Sequence, residues 1–293
     1  MTLIAAHRPL YTPPAERLAD SAADAAESSA SRVVMCPPVC GLGLAAPDLH
    51  AWGPRPVAFD CDRALRQWES LRDAIVSLGI GVDLLVADGS LRAQMAVGDA
   101  ALVVGSQALA ARFADDDRTG ECPVVGAALA ASGLEIVTPP SDVVFEAGQA
   151  IASDLTLFGG WFARRERLGL RWAARTLQRR LVDLRLQDET LDRLDLCLRP
   201  LRPEIALCVP EAFDAADFTT LRDQITLLLP VPTAEAIRGA CSALVFGTTV
   251  ILPTECPRTA ALLDTAGFRV VAVDVSEFAK LGCGLSRLVL PLG

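Results

Sequence analysis

One amphipathic helix followed by one short apolar strand recurs five times along this 293-residue chain, and this repeat constrains the fold more than any other feature. In the first copy, apolar residues at spacings of three and four, from Leu65 to Leu78, predict a helix over residues 62–79. Gly79 ends it, and the strand Val82–Val86 follows. The five strands start near residues 82, 134, 181, 225 and 268. A near-constant period of this length is typical of modules repeated around an axis.

The same pattern predicts four more helices, over residues 122–132, 165–180, 211–224 and 257–266. Additional strands are predicted at Arg32–Met35, Ala101–Val104, Leu155–Phe158, Ile205–Cys208 and Ala243–Phe246. We therefore predict an α/β fold, a five-bladed α/β propeller of repeated strand-helix-strand modules that closes into a pseudo-fivefold ring without a free sheet edge. A doubly wound parallel sheet is the alternative. It does not require modules of similar length, and Gly41-Leu42-Gly43 is too short for its usual glycine-rich phosphate loop.

The N-terminal part differs in composition from the rest of the chain. Residues 13–31 are rich in Ala, Ser, Asp and Glu, and no large apolar residue recurs there with a period. We predict a flexible extension over residues 1–31 and a single α/β-propeller domain over residues 32–293.

Charge and residue usage exclude several classes of protein. The net charge is −9 and no basic stripe exists, which argues against nucleic-acid binding. No apolar run reaches the ~18 residues of a membrane span, and the start of the chain lacks a signal-peptide pattern. Nine cysteines are scattered, and His7 and His50 lie near no cysteine cluster. We predict a cytoplasmic protein with reduced thiols, no metal, no cofactor and no membrane contact.

Five segments resemble motifs of the superfamily that comprises arginine deiminases, amidinotransferases and dimethylargininases, the penteins. They are VVMCPP at Val33–Pro38, FEAGQ at Phe145–Gln149, RLDLCL at Arg193–Leu198, CSALV at Cys241–Val245 and SEFAKLGCGLSRLVLPL at Ser276–Leu292. Their order is that of the family. The resemblance implies a five-bladed α/β propeller. It also implies a chemistry in which a thiolate attacks a guanidinium carbon, a histidine moves protons and carboxylates hold the substrate.

A residue-by-residue match to the motifs implies that this chain keeps part of the family's binding site but has other residues at the positions of the reactive groups. Glu146 and Asp195 stand at carboxylate positions of the family, and Arg164 stands near an arginine that holds the substrate carboxylate. The nucleophile position is Arg287 and the histidine position is Arg193. Because arginine stays protonated at physiological pH, it serves neither as nucleophile nor as base.

This substitution pattern leads to three hypotheses. The first is a non-catalytic homologue that binds a small guanidino or carboxylate compound or a protein partner. The second is an active hydrolase or transferase on guanidino or other C–N bonds with an altered mechanism. It would use acid/base chemistry from Asp195 and Glu146, or Cys283 as a displaced nucleophile, since a neighbouring Arg287 lowers a thiol pKa. The third is a structural subunit in a hetero-oligomer with an active paralogue.

The two arginines also yield a geometric prediction. An unpaired buried carboxylate is unfavourable, and the planar fork of arginine binds a carboxylate through two hydrogen bonds. We predict that Arg287 or Arg193 pairs with Glu146 or Asp195, where the guanidinium group of a substrate would lie.

Overall fold

The computed structural model describes residues 30–39, 59–91, 93–162 and 166–292, and they form five three-stranded sheets with helices. The strands are β1 (Arg32–Met35), β2 (Gly81–Leu84), β3 (Ala101–Val104), β4 (Gln107–Ala110), β5 (Glu135–Val137), β6 (Ala150–Ser153), β7 (Thr156–Trp161), β8 (Arg180–Arg185), β9 (Leu198–Arg202), β10 (Ile205–Cys208), β11 (Leu227–Pro230), β12 (Leu244–Phe246), β13 (Thr249–Pro253), β14 (Arg269–Val273) and β15 (Leu290–Leu292). The helices are α1 (Cys61–Ser77), α2 (Glu121–Ala131), α3 (Glu166–Thr176), α4 (Ala215–Gln224), α5 (Thr233–Ala236), α6 (Pro257–Thr265), α7 (Ser276–Ala279) and α8 (Leu285–Leu288). The α/β class is confirmed, and five small sheets stand in place of one doubly wound sheet.

All five sheets share one topology. The middle strands β1, β4, β7, β10 and β13 each pair antiparallel with one neighbour and parallel with the other. The parallel partner always follows a helix, because parallel strands need a crossover connection. In the first sheet the antiparallel partner of β1 is β15, so the last strand of the chain completes the sheet that the first strand begins.

Local sequence explains the ends of the helices. The Asp60 carboxylate accepts a hydrogen bond from the backbone N–H of Arg63 at 3.0 Å and caps α1. Gly79 and Gly267 follow α1 and α6 with φ of +80° and +82°, the left-handed conformation that glycine adopts without strain. Trp68 and Leu71 bury the inner face of α1 as predicted, whereas Leu65 is 39 % exposed at the edge of that face.

Strand prediction was incomplete because each module has two strands before its helix. Three predicted strands, Arg32–Met35, Ala101–Val104 and Ile205–Cys208, have the same bounds in the structure. One strand of each of four hairpins was missed: the second strand in β4 and β13, and the first strand in β6 and β9. Sequences such as QALA and AIAS are too short and too poor in β-branched residues to give a strand pattern.

The prediction of reduced thiols needs one correction. Among the described residues seven cysteines are free, but Cys61 at the start of α1 is disulfide-bonded, so the prediction is wrong for that residue. Residues 1–29 of the predicted extension, His7 and His50 lie outside the described residues. Within the described ranges, every helix is too short or too polar to cross a bilayer.

Candidate functional site

Short turns from different modules meet at one place, and two of them carry a buried carboxylate, Asp99 and Asp195. The turn Val97–Asp99 precedes β3, Ala147–Gln149 precedes β6 and Leu194–Leu196 precedes β9. The second turn contacts the other two, and α8 contacts the first. The modules thereby bring residues far apart in the chain within hydrogen-bonding distance.

Asp99 is the centre of this arrangement and is 0 % exposed. Its Oδ1 accepts a hydrogen bond from Arg193 Nη2 at 2.6 Å. Its Oδ2 accepts from Arg287 Nε at 2.8 Å and from Arg118 Nη1 at 3.0 Å, and Arg287 Nη2 lies 2.6 Å away. Burial alone raises the pKa of Asp99, but the charges of the three arginines outweigh it and hold that pKa well below its usual range.

Two further carboxylates balance the arginines. Asp195 accepts from Arg193 Nε and Nη2, both at 3.1 Å, and Ser286 Oγ donates to Asp195 Oδ2 at 2.9 Å. Glu121 Oε2 accepts from Arg118 Nη2 at 2.8 Å. Three carboxylates therefore face three guanidinium groups, and we call these six residues the charge cluster: Asp99, Arg118, Glu121, Arg193, Asp195 and Arg287.

Packing holds two of these arginines in place. The guanidinium carbon of Arg118 lies 3.9 Å from the ring centre of Phe113. The guanidinium group of Arg193 lies against Gly148, where a Cβ atom would overlap it. Glycine at position 148 is therefore required for Arg193 to reach both Asp99 and Asp195.

The predicted pairing of Arg287 or Arg193 with Glu146 or Asp195 is confirmed for Arg193 and Asp195. Arg287 points to the same place but pairs with Asp99, a carboxylate that this pairing prediction did not include. Glu146 lies apart: its Oε1 accepts from the backbone N–H of Ala114 at 3.4 Å, and it forms no ion pair within the described part of the chain. Arg164 lies outside the described residues.

Cys283 lies close to the charge cluster but is not an activated thiolate. It is 2 % exposed. Burial raises the pKa of its thiol to about 11, although Arg287 acts in the opposite direction as the sequence analysis expected. The thiol is therefore protonated at neutral pH, which argues against Cys283 as a nucleophile.

A cavity of about 200 Å³ opens beside the charge cluster. Its polar side chains are Asp195, Arg199 and Ser286, and its other lining residues are glycine, proline or aliphatic. A larger groove of about 670 Å³, beside Phe113 and Cys122, contains none of the six cluster residues. The cavity that borders the charge cluster is thus the smaller of the two. Nowhere in the described ranges do three His, Cys, Asp or Glu residues gather to hold a metal ion.

Arg287→Ala tests whether this arginine fills a guanidinium site. The variant removes one of three partners of Asp99, so we expect it to lose about 3 kcal/mol of unfolding free energy. We also expect millimolar guanidinium to raise its melting temperature more than equal sodium chloride does, because the ion binds the vacated space. The wild type should show no such difference. A variant as stable as wild type and indifferent to guanidinium would contradict the filled site.

Comparisons with known proteins place this geometry in context. No family model matches the chain. An uncharacterized protein of Caenorhabditis elegans is 30 % identical over 277 residues, which cover 93 % of this chain and 97 % of that protein. The bifunctional arginine dihydrolase/ornithine cyclodeaminase ArgZ of Synechocystis is 30 % identical over 78 % of this chain. The matched part covers only about a third (33 %) of the length of ArgZ. The N(G),N(G)-dimethylarginine dimethylaminohydrolase of Mycobacterium tuberculosis is 28 % identical, over 86 % of this chain and 82 % of its own.

Solved structures agree with the sequence relatives. The N-terminal domain of ArgZ bound to substrate has a TM-score of 0.81 and 28 % identity, over 88 % of this chain and 97 % of that domain. The hypothesis of a non-catalytic homologue is contradicted by these findings, because the characterised relatives are enzymes and the matched domain binds a substrate. The relatives and the shared fold agree with the five motifs, and the chain belongs to the superfamily of arginine deiminases, amidinotransferases and dimethylarginine dimethylaminohydrolases.

Proposed function

We propose that this protein is an enzyme that acts on a C–N bond of a small amino-acid substrate in the cavity beside the charge cluster. The observation that carries the proposal is the placement of the Asp195 carboxylate at that cavity, in a domain whose named relatives are an arginine dihydrolase and a dimethylarginine dimethylaminohydrolase. The relatives support hydrolysis of a C–N bond as the class of reaction.

The mechanism must differ from the thiolate route that the family resemblance implies. Arg287 and Arg193 hold the positions of the nucleophile and the histidine, and neither gives up its proton at physiological pH. The protonated Cys283 thiol is a poor replacement. Glu146 has no contact with the charge cluster. Asp195 is therefore our candidate for the acid/base group.

A direct attack by water satisfies these constraints. Asp195 would take a proton from a water molecule as the water oxygen forms a bond to the substrate carbon. Arg193, hydrogen-bonded to Asp195, would stabilise the negative charge that develops on the substrate. The proton would then pass from Asp195 to the leaving amine as the C–N bond breaks. Each step conserves charge and needs only Asp195, its partner Arg193 and water.

The arginine side chains that already occupy the site decide which substrates can bind. Asp99 binds three guanidinium groups of the chain itself, those of Arg118, Arg193 and Arg287. A substrate guanidinium group would have to displace one of them. An amino acid whose reacting nitrogen is not a guanidinium avoids that competition, and we place it in the cavity next to Asp195.

The proposal also covers the closure of the fold, the extension and the cellular compartment. We propose that the five sheets close into a five-bladed propeller around the charge cluster, and the pairing of β15 with β1 supports closure. We keep residues 1–31 as an extension of the domain and the cytoplasm as its compartment.

Turnover by the purified protein tests the function. We expect ammonia or amine release from at least one member of a panel of arginine, methylated arginines, ornithine, citrulline and common amino acids. Asp195→Asn should lower the rate at least about 100-fold, as loss of a general acid/base does, and Cys283→Ala should keep it. The pH profile should lose its acidic limb in Asp195→Asn. No release from the panel, or equal rates in Asp195→Asn, would refute the proposal.

A further inference from the structure

Arg199 is the one cavity-lining cation, and its environment differs from that of the cluster arginines. It lies on β9, and its Nε donates to the carbonyl oxygen of Cys241 at 2.9 Å, which fixes the side chain. Its two terminal nitrogens have no hydrogen bond or ion pair with any residue in the described ranges. Each of the three cluster arginines, in contrast, binds at least one carboxylate.

Asp195 lines the same cavity but does not neutralise Arg199. The oxygens of Asp195 already accept hydrogen bonds from Arg193 and Ser286. Burial lowers the pKa of Arg199, and the nearby charge of Asp195 offsets this in part. Since the charge cluster is balanced by itself, Arg199 leaves the cavity with one uncompensated positive charge.

Arg199 is half-buried, and a guanidinium group that loses hydration without gaining a partner is unfavourable. A carboxylate that accepts hydrogen bonds from both of its terminal nitrogens removes that penalty. We propose that the cavity is a binding site for a small monocarboxylate, held by Arg199 and oriented by the Ser286 hydroxyl. This inference rests on the proposed function, in which the carboxylate is that of the amino-acid substrate.

Size and charge define the ligand class. A cavity of about 200 Å³ is smaller than the roughly 300–1,000 Å³ of drug-sized ligand sites. It therefore fits a short organic acid and excludes a peptide or nucleotide. A dianion such as phosphate would meet more repulsion from Asp195 than a monoanion does, so a carboxylate is the better match.

Acetate binding measured by isothermal titration calorimetry at constant ionic strength tests the site without any turnover. We expect the wild type to bind acetate, and Arg199→Gln to weaken binding about ten- to a hundredfold, the value of a charged hydrogen-bond pair. Arg199→Lys should retain part of the affinity. Arg222→Gln, which removes an exposed arginine of α4, is the matched charge control and should bind as wild type does.

The outcomes separate this inference from the proposed function. Absence of acetate binding to the wild type, or equal binding by Arg199→Gln, overturns the site. If Arg199→Gln does not fold, Ala152→Leu fills the cavity from β6 and should abolish binding while Arg199 stays. Arg199-dependent binding without turnover of any amino acid would keep the site and remove the proposed function. Turnover with a KM that is unchanged in Arg199→Gln would keep the proposed function and remove the carboxylate site.

Discussion

Asp99→Asn is expected to lower the free energy of unfolding by about 3–5 kcal/mol, the largest electrostatic effect that we expect from one substitution in this protein. Asparagine keeps the shape of the side chain but removes the charge that Arg118, Arg193 and Arg287 share. Three buried guanidinium groups would then compete for Asp195 and Glu121 alone, and removal of one partner of a buried ion pair has this magnitude. Urea unfolding measures the change.

The pH dependence gives the same prediction a second readout. The folded-state pKa of Asp99 is lowered, so its contribution is complete above the unfolded pKa of about 4 and is lost as the pH falls below that value. Wild-type stability should fall over this range more steeply than that of Asp99→Asn. Asp83→Asn, which breaks the exposed pair with Arg32, is the control and should change stability little. An Asp99→Asn protein as stable as that control would contradict the central role of Asp99.

Gly98→Ala is expected to cost at least about 3 kcal/mol, because the new methyl group would overlap the backbone carbonyl of Ser286. A backbone atom cannot turn away as a flexible side chain does. The turn before β3 would separate from α8, and Asp99 would move away from Arg287. The substitution should therefore disrupt the charge cluster as well as the packing.

The matched control is Gly126→Ala, another glycine-to-alanine change, in the interior of α2. Its Cβ would lie 3.9 Å from the nearest heavy atom of the chain, Ile136 Cγ2. We expect it to be neutral or to stabilise by up to about 1 kcal/mol through helix propensity. Thermal and urea unfolding of both variants compare the two positions directly. Equal stabilities of the two variants would mean that the turn Val97–Asp99 does not contact α8.

Much of the fold could be predicted because local patterns encode it. Helix α6 starts at the predicted residue, Pro257, and ends within one residue of the predicted bound, since apolar spacing and Gly267 both act over a few residues. The five-module count followed from the same short-range signals. The hairpin strands β4 and β6 were missed because each has only four residues, two of them alanine, and this hydrophobic signal is too weak to distinguish a strand from a turn.

The site was predicted in part, through the motif resemblance. Arg193, Asp195 and Arg287 do meet at one place, as their positions in the family motifs implied. Glu146 does not join them, because its side chain turns toward Ala114 in a neighbouring module. Cys283 was expected to gain thiolate character from Arg287, but burial had the larger effect on its pKa. The position of a residue in a motif predicts where its backbone lies but not which way its side chain points.

The sequence by itself determined the α/β class, the five modules and the absence of a cysteine or histidine at positions 287 and 193. Only the tertiary structure decided which carboxylate those arginines bind. Asp99 lies 94 residues from Arg193 and 188 from Arg287, and no local pattern links them. Ser286 and Arg199 likewise became site residues only once α8 and β9 lined one cavity. Periodicity reports the environment of a residue within its own helix or strand, whereas charges pair through space across modules that the fold brings together.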